Sequence, residues 1–228
     1  MIFVILFSHN VSKKITTTDQ RIIARFLSEQ NLSSASLRNN QIFSDQIQSI
    51  QLLQQAVLDY STYSQPIPKN TTREPLDFIN AKTVNCFDRA RFLDKAFRFL
   101  GYESRYVSAY LTEHTGSLIK SLITNNKKLV RSHALLEVKT VKGWVAVGTV
   151  HDWIGLTADH QTISLDQSHY QENGLININW HPENTENPYW ILQTSYAPVY
   201  GLYSRHGRYY PPFTFIPDFN LYELLYNL

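Results

Sequence analysis

The sequence predicts an α+β fold in which a helix packs on an antiparallel sheet. Up to residue 100, apolar residues recur at three- and four-residue steps, which is the period of amphipathic helices. After Gly101 the period changes to two, which is typical of strands. The pair Lys142-Gly143 then marks a hairpin turn between two of those strands.

Helices are predicted in the first eighty residues from their apolar stripes and their start signals. Asp19 is expected to cap a helix that ends at residue 30, and a longer helix is expected over residues 44–60. Pro75 is expected to begin a short helical turn over residues 76–80, because proline suits the first helical position.

The most distinct helix begins at the single cysteine of the chain. Asn85 is a good N-cap directly before it, and Gly101 is a good stop after it. One apolar face is predicted to run along this helix, and it comprises Cys86, Ala90, Leu93, Phe97 and Leu100.

Three strands are predicted after this helix, over residues 102–111, 130–140 and 143–149. A polar loop is expected between the first two, over residues 113–128. In the second strand, alternation places His133 on one face and Ala134 on the other.

The last forty residues differ in composition, since they hold 12 of the 30 aromatic residues and are punctuated by prolines. They predict an irregular extension of the same domain. We therefore expect a helical N-terminal region over residues 1–70, a catalytic core over 71–165 and this extension over 166–228.

Composition excludes several classes of function. The net charge of +2 gives no electrostatic footprint for nucleic acid, and no apolar run approaches the length of a membrane span. No glycine-rich phosphate loop occurs, so no cofactor is predicted. The apolar residues 1–7 fit an N-terminal strand or the remnant of a signal or anchor, which leaves a cytoplasmic and a periplasmic location open.

The single cysteine excludes an internal disulfide and any multi-cysteine metal site. At a helix start, unpaired N–H groups and the helix dipole favour a thiolate, so we expect a lowered pKa for Cys86. His133 is the predicted general base, and Asp152 is the predicted carboxylate that orients its ring. Such a set performs acyl transfer through a thioester.

Two segments carry a resemblance to a known family. Residues 85–111 read NCFDRARFLDKAFRFLGYESRYVSAYL, and residues 132–147 read SHALLEVKTVKGWVAV. Together they resemble the core of the transglutaminase-like superfamily, over roughly residues 75–165. Residues 200–220, YGLYSRHGRYYPPFTFIPDFN, resemble the C-terminal end of a bacterial branch of it.

This resemblance implies a papain-like α+β fold with the nucleophile helix on an antiparallel sheet. Members of the superfamily include cross-linking transferases, peptidases, deamidases and forms that have lost catalysis. The chain departs from the family pattern at Gly148, where the orienting carboxylate usually stands. Asp152 lies four residues later, and Thr149 and His151 are polar alternatives for orienting the ring.

The resulting hypothesis is a cysteine enzyme that transfers or hydrolyses an acyl group at a peptide, isopeptide or glutamine amide. Its partner would be a peptide or protein, with cell-envelope and glycan-linked substrates among the candidates. The alternative is a catalytically reduced binding module that holds a peptide or glycan in the same groove.

Two further groups of residues are given structural rather than functional interpretations. No metal is predicted, because the spacings of His151, His160, His169 and His181 fit no ligand pattern. Arg205, His206 and Arg208 are expected to brace the aromatic extension, and Trp190 is a candidate wall of an acceptor cleft.

Overall fold

The structure is a computed structural model, and it describes residues 10–64, 66–67, 73–81, 83–123, 132–157, 159–166, 194–203 and 218–228. It confirms the mixed α+β class, with helices packed on an antiparallel sheet. Within those ranges, no helix has both the length and the apolar character needed to cross a membrane. The apolar residues 1–7 lie outside the described residues.

The helices and strands are named here in chain order. The helices are α1 (Thr17–Glu29), α2 (Phe43–Tyr60), α3 (Pro75–Asn80), α4 (Cys86–Phe99), α5 (Leu118–Ile123) and α6 (Leu221–Leu224), with a 3₁₀ turn at Leu225–Asn227 after α6. The strands are β1 (Thr62–Tyr63), β2 (Thr83–Val84), β3 (Ser104–Leu111), β4 (Ser132–Thr140), β5 (Gly143–Val147) and β6 (Tyr196–Tyr200).

The main sheet has the strand order β5-β4-β3-β6, and each neighbouring pair is antiparallel. Within it, Ala109 pairs with His133 and Ser108 pairs with Ala134. The short strands β1 and β2 form a separate parallel pair directly before α4. This pair fixes the chain that leads into Cys86.

Both faces of the main sheet are covered. One face packs on α4 and α2 through a cluster that includes Leu53, Leu93, Phe97, Leu136 and Val145. The opposite face holds a second cluster that includes Val107, Leu135, Ala146, Trp153 and Tyr200. The alternation predicted for the second strand is therefore confirmed, because Leu135 and Leu136 belong to different clusters.

The start of α1 differs from its prediction. Thr16, rather than Asp19, is the N-cap residue. The Thr16 hydroxyl accepts a bond from the Asp19 N–H, and the Asp19 carboxylate accepts one from the Thr16 N–H. This reciprocal capping box satisfies two N–H groups, whereas an Asp19 cap alone would satisfy fewer.

Two segments predicted as irregular contain regular structure. Helix α5 lies inside the polar stretch 113–128, and β6 and α6 lie inside the aromatic extension. Strand β6 has a proline at its centre, Pro198, which weakens the strand signal. It forms nevertheless because β3 offers it an open edge, which no local pattern reveals.

Helix α4 carries buried charged residues in addition to its apolar face. Asp94 is fully buried, and its carboxylate contacts Arg98 at 2.9 Å, Arg91 at 3.4 Å and Lys13 at 4.0 Å. The Ser104 hydroxyl donates to the same carboxylate at 2.6 Å. Burial alone would raise the pKa of Asp94, but these cations outweigh it and lower the pKa to about 2.

We expect Asp94 to stabilise the fold at neutral pH and to lose that contribution in acid. Its pKa in the folded state lies below the unfolded value near 3.9. The contribution is therefore present above pH 4 and disappears as the pH falls toward 2. Urea unfolding of Asp94→Asn at pH 7 should show a loss of roughly 3–5 kcal/mol, because the substitution removes a buried carboxylate that contacts three cations.

The matched control is Asp159→Asn, since Asp159 is exposed. The prediction is contradicted if Asp94→Asn lowers the free energy of unfolding no more than Asp159→Asn does. It is also contradicted if the stability difference between the wild type and Asp94→Asn does not shrink as the pH falls from 4 to 2.

Candidate active site

Cys86 is the first residue of α4, and two devices hold it there. The Asn85 side chain accepts bonds from the N–H groups of Phe87 (3.0 Å) and Asp88 (3.3 Å), as the sequence predicts for an N-cap. The Asp88 carboxylate accepts a return bond from the Asn85 N–H at 3.1 Å. Because the cap is reciprocal, the helix start and hence the Cys86 backbone are fixed.

The thiol side chain is only 5% exposed. It packs among Ala90 of the same helix, Ala134 of β4 and the ring of Tyr106. Its sulfur is hydrogen-bonded by the Ala134 N–H and by the hydroxyl of Tyr63, which is on β1. Ala134 and Tyr63 lie outside α4, so tertiary structure contributes to the environment of the sulfur.

The pKa of the Cys86 thiol is raised to about 11, which corrects the expectation of a lowered value. Burial is the largest cause, and the nearby charge of Asp88 acts in the same direction. Hydrogen bonds from Ala134, Tyr63 and Phe87 favour the thiolate, but they do not offset the loss of solvent. The resting group is therefore a neutral thiol.

His133 lies at the start of β4 and is 1% exposed. Burial, together with the nearby His151, lowers the pKa of its imidazole to about 3. The ring is thus neutral at physiological pH. His133 directly precedes Ala134, which packs with Cys86, and alternation along β4 directs these two neighbouring side chains to opposite faces of the strand.

Gly148 stands where the resemblance implies a carboxylate, and the structure leaves no room for one. A Cβ atom added there would lie 2.4 Å from the carbonyl oxygen of His151 and 2.9 Å from the Trp153 indole nitrogen. The chain folds back at this point, with the Gly148 N–H bonded to the Trp153 carbonyl at 3.0 Å. The turn itself therefore excludes a side chain at residue 148.

Gln54 of α2 holds this turn. Its amide nitrogen donates to the carbonyls of Gly148 and Trp153, both at 2.9 Å, and to that of His151 at 3.3 Å. Gln54 is almost fully buried, so these three bonds fasten the turn to the core. Nothing in the local sequence around Gln54 predicted this role.

Asp152 lies in the same turn and is half-buried. The causes that lower the pKa of His133 are burial and His151, and Asp152 is not among them. Thr149, an alternative orienter, donates its hydroxyl to the Ala134 carbonyl at 2.6 Å and so braces β4 rather than the ring. His151, the other alternative, is exposed but close enough to His133 to affect its pKa.

Arg89 is a site residue that the sequence interpretation missed, because helix charges are usually solvated. It is 3% exposed and lies one turn after Cys86. Its guanidinium donates to Ser61 and to the carbonyls of Leu58 and Thr149. The spacing of three from Cys86 is the signal that could have placed it near the thiol.

No group of three or more metal-ligating side chains comes together in the part of the chain that the structure describes. His169, His181, Trp190, Arg205, His206 and Arg208 lie outside the described residues.

Residues 38–149, just under half of the chain, match the family model of the transglutaminase-like superfamily. The match confirms the resemblance and extends it toward the N-terminus, so that it includes α2. It contains Cys86 and His133 but ends before Asp152. Among curated proteins, none matches this chain in sequence.

We expect Gly148→Asp to destabilise the protein rather than to restore a carboxylate to the site. The Cβ would overlap the His151 carbonyl, so the turn must shift at a cost of about 1–3 kcal/mol. Thermal unfolding measures this loss. Because the Cβ is the clashing atom, the control Gly148→Ala should lose a similar amount. A stable Gly148→Asp protein would contradict the prediction.

The raised thiol pKa predicts slow alkylation at neutral pH. With a pKa of about 11, roughly one molecule in ten thousand carries a thiolate at pH 7. The rate of iodoacetamide labelling should rise about tenfold per pH unit from pH 7 to 10, and the single cysteine means a single labelling site. A midpoint at or below the 8.5 of free cysteine would show that burial does not control the thiol.

Proposed function

We propose that the protein is a cysteine-dependent acyl-transfer enzyme with a papain-like core, acting on a peptide, isopeptide or glutamine amide. Cys86 is the nucleophile, His133 is the general base and acid, and Asp152 is the proposed orienter. The observation that carries this proposal is the packing of Cys86, at the capped start of α4, against β4, the strand that contains His133. The match of residues 38–149 to the transglutaminase-like family model supports it.

The chemistry starts from a neutral thiol and a neutral imidazole. As the Cys86 sulfur attacks the carbonyl carbon, its proton passes to His133, in the manner of a serine–histidine pair. The carbonyl oxygen gains the negative charge, and the backbone N–H of Cys86 at the helix start is one donor that stabilises it. His133 then gives the proton to the leaving amine, which leaves a thioester on Cys86.

Water or a primary amine resolves this thioester, again with His133 as the base. Water gives hydrolysis or deamidation, and an amine gives a cross-link. The buried thiol favours a site from which bulk water is partly excluded, which supports both outcomes rather than hydrolysis alone.

The alternative is a binding module with reduced catalysis that holds a peptide or glycan in the same groove. The observation that favours it is Gly148, where the turn excludes the usual carboxylate. In comparable triads, loss of the orienter costs about four orders of magnitude but leaves residual activity.

Intact-mass spectrometry with an activated peptide ester distinguishes the two functions. The enzyme should gain one acyl group on Cys86, and Cys86→Ser should gain none in the same time. His133→Asn should acylate roughly 10²–10⁴ times more slowly, because the proton acceptor is lost. A binding module would retain the peptide without any covalent mass, and that result would refute the enzyme.

Asp152→Asn tests the orienter separately. If Asp152 orients His133 when substrate is bound, acylation should slow by several orders of magnitude. The control Asp159→Asn changes an exposed carboxylate seven residues away. Equal rates for the two variants would remove Asp152 from the mechanism and leave the Cys86–His133 pair.

A further inference from the structure

Tyr63 is the one side chain that contacts the Cys86 sulfur through a hydroxyl group in the described part of the chain. Tyr63 is 41% exposed, whereas Cys86 is 5% exposed, so Tyr63 is the more accessible of the two to solvent. Strand pairing fixes its position, because Tyr63 pairs with Val84, two residues before Cys86.

Arg89 lies behind the ring of Tyr63, with the guanidinium carbon 5.5 Å from the ring centroid. The same guanidinium donates to the Ser61 hydroxyl at 3.0 Å and to the Ser61 carbonyl, two residues before Tyr63. Arg89 therefore fixes both the ring and the backbone that carries it.

The charge of Arg89 has no carboxylate partner among the described ion pairs of the chain. A buried cation without an anion is costly. Here the ionisable groups that it faces are Tyr63 and Cys86, both of which become anions when they lose a proton. Its positive charge therefore favours negative charge at the place where the proposed reaction creates it.

We propose that Tyr63 sets the reactivity of Cys86 by donating a hydrogen bond to the sulfur as the thiolate forms, and that Arg89 is the positioning residue that holds Tyr63. The inference deepens the proposed function and rests on Cys86 as its nucleophile. During attack the thiol proton goes to His133, and the Tyr63 proton stays on the phenol oxygen. The phenol shares its hydrogen bond with the charged sulfur, which is where such a bond is strongest.

The site needs hydrogen-bond donors that stabilise the thiolate as it forms, and the Tyr63 hydroxyl is one of them. His133 is neutral in the resting protein, so no imidazolium stabilises the thiolate in advance. The N–H groups of Ala134 and Phe87 and the Tyr63 hydroxyl are the donors that remain at the sulfur, and of these three only the hydroxyl belongs to a side chain that substitution can remove.

The test is the pH profile of iodoacetamide labelling in the full chain. Tyr63→Phe keeps the ring over Arg89 and removes only the hydroxyl. It should slow labelling about tenfold at every pH from 7 to 9, which corresponds to a rise of one unit in the thiol pKa. Tyr222→Phe is the control, because Tyr222 is 80% exposed on α6. Equal rates for the two variants would overturn the inference.

A measurement that does not depend on reagent access accompanies the labelling. The chain has one cysteine, so the infrared S–H stretch arises from Cys86 alone and disappears as the thiol ionises. In Tyr63→Phe this loss should require a higher pH than in the wild type. A change in labelling with an unchanged S–H titration would mean that Tyr63 controls access and would overturn the proposal.

Arg89→Lys tests the positioning role while it keeps the charge. Lysine cannot reproduce the planar contacts to Ser61 and to the ring, so labelling should slow in the wild-type background. In the Tyr63→Phe background the same substitution should have little further effect, because Arg89 acts through the hydroxyl that is already absent. If the effects of Arg89→Lys and Tyr63→Phe on the labelling rate are fully additive, the positioning role of Arg89 is overturned.

The failure of the Tyr63 proposal and the failure of the proposed enzymatic function would give different results. Alkylation needs a thiolate but not acyl transfer. If the chain never forms an acyl-enzyme but Tyr63→Phe is alkylated more slowly than the wild type, the role of Tyr63 is supported and the proposed enzymatic function is refuted. If the wild type forms an acyl-enzyme with the peptide ester, and the substrate-free wild type and Tyr63→Phe are alkylated equally fast, the enzymatic function is supported and the role of Tyr63 is overturned.

Discussion

The burial of helix α4 is the constraint on which the rest of this structure depends. The helix packs on the sheet with its apolar side, yet its other sides are buried as well, and they carry charged residues: Asp88, Arg89, Arg91, Asp94 and Lys95. Because buried charges need partners, distant segments converge on the helix. Lys13 approaches Asp94, Asp19 pairs with Lys95 at 2.9 Å, and Glu74 pairs with Arg91 at 2.8 Å. These ion pairs hold α4 in place, and with it Cys86 at the start of the helix.

The same burial decides the electrostatics of the candidate site. A helix start lowers the pKa of a thiol, but the gain from the dipole and three hydrogen bonds is smaller than the cost of removing a thiolate from water. The imidazole of His133 loses its charged form for the same reason. A neutral pair can still transfer a proton during attack, provided that local donors stabilise the sulfur at that moment. In our proposal the Tyr63 hydroxyl is such a donor, and the Arg89 guanidinium next to its ring holds it in position.

At Gly148, a departure from a sequence motif coincides with a change in the path of the backbone. In the sequence alone, Gly148 stands where a carboxylate residue is expected. In the structure, the chain turns back at Gly148, and Gln54 fastens the turn to α2 through three carbonyls. The turn leads to Asp152, which stays the proposed orienter. A carboxylate at residue 148 and this turn exclude each other, because a Cβ there would lie 2.4 Å from a backbone oxygen.

The sequence by itself determined the features that a few neighbouring residues control. Asn85 and Gly101 set the two ends of α4, and the period of two set which faces of β4 carry His133 and Ala134. The motifs in this region also indicated the superfamily. Tertiary structure alone decided the rest: the pairing of β6 with β3, the burial of Arg89, and the approach of Tyr63 to the sulfur. Caps and alternation act over one helical turn or one strand, so they can be found in sequence. Burial and its effect on the pKa of Cys86 depend on residues tens of positions away, and these meet only after the chain has folded.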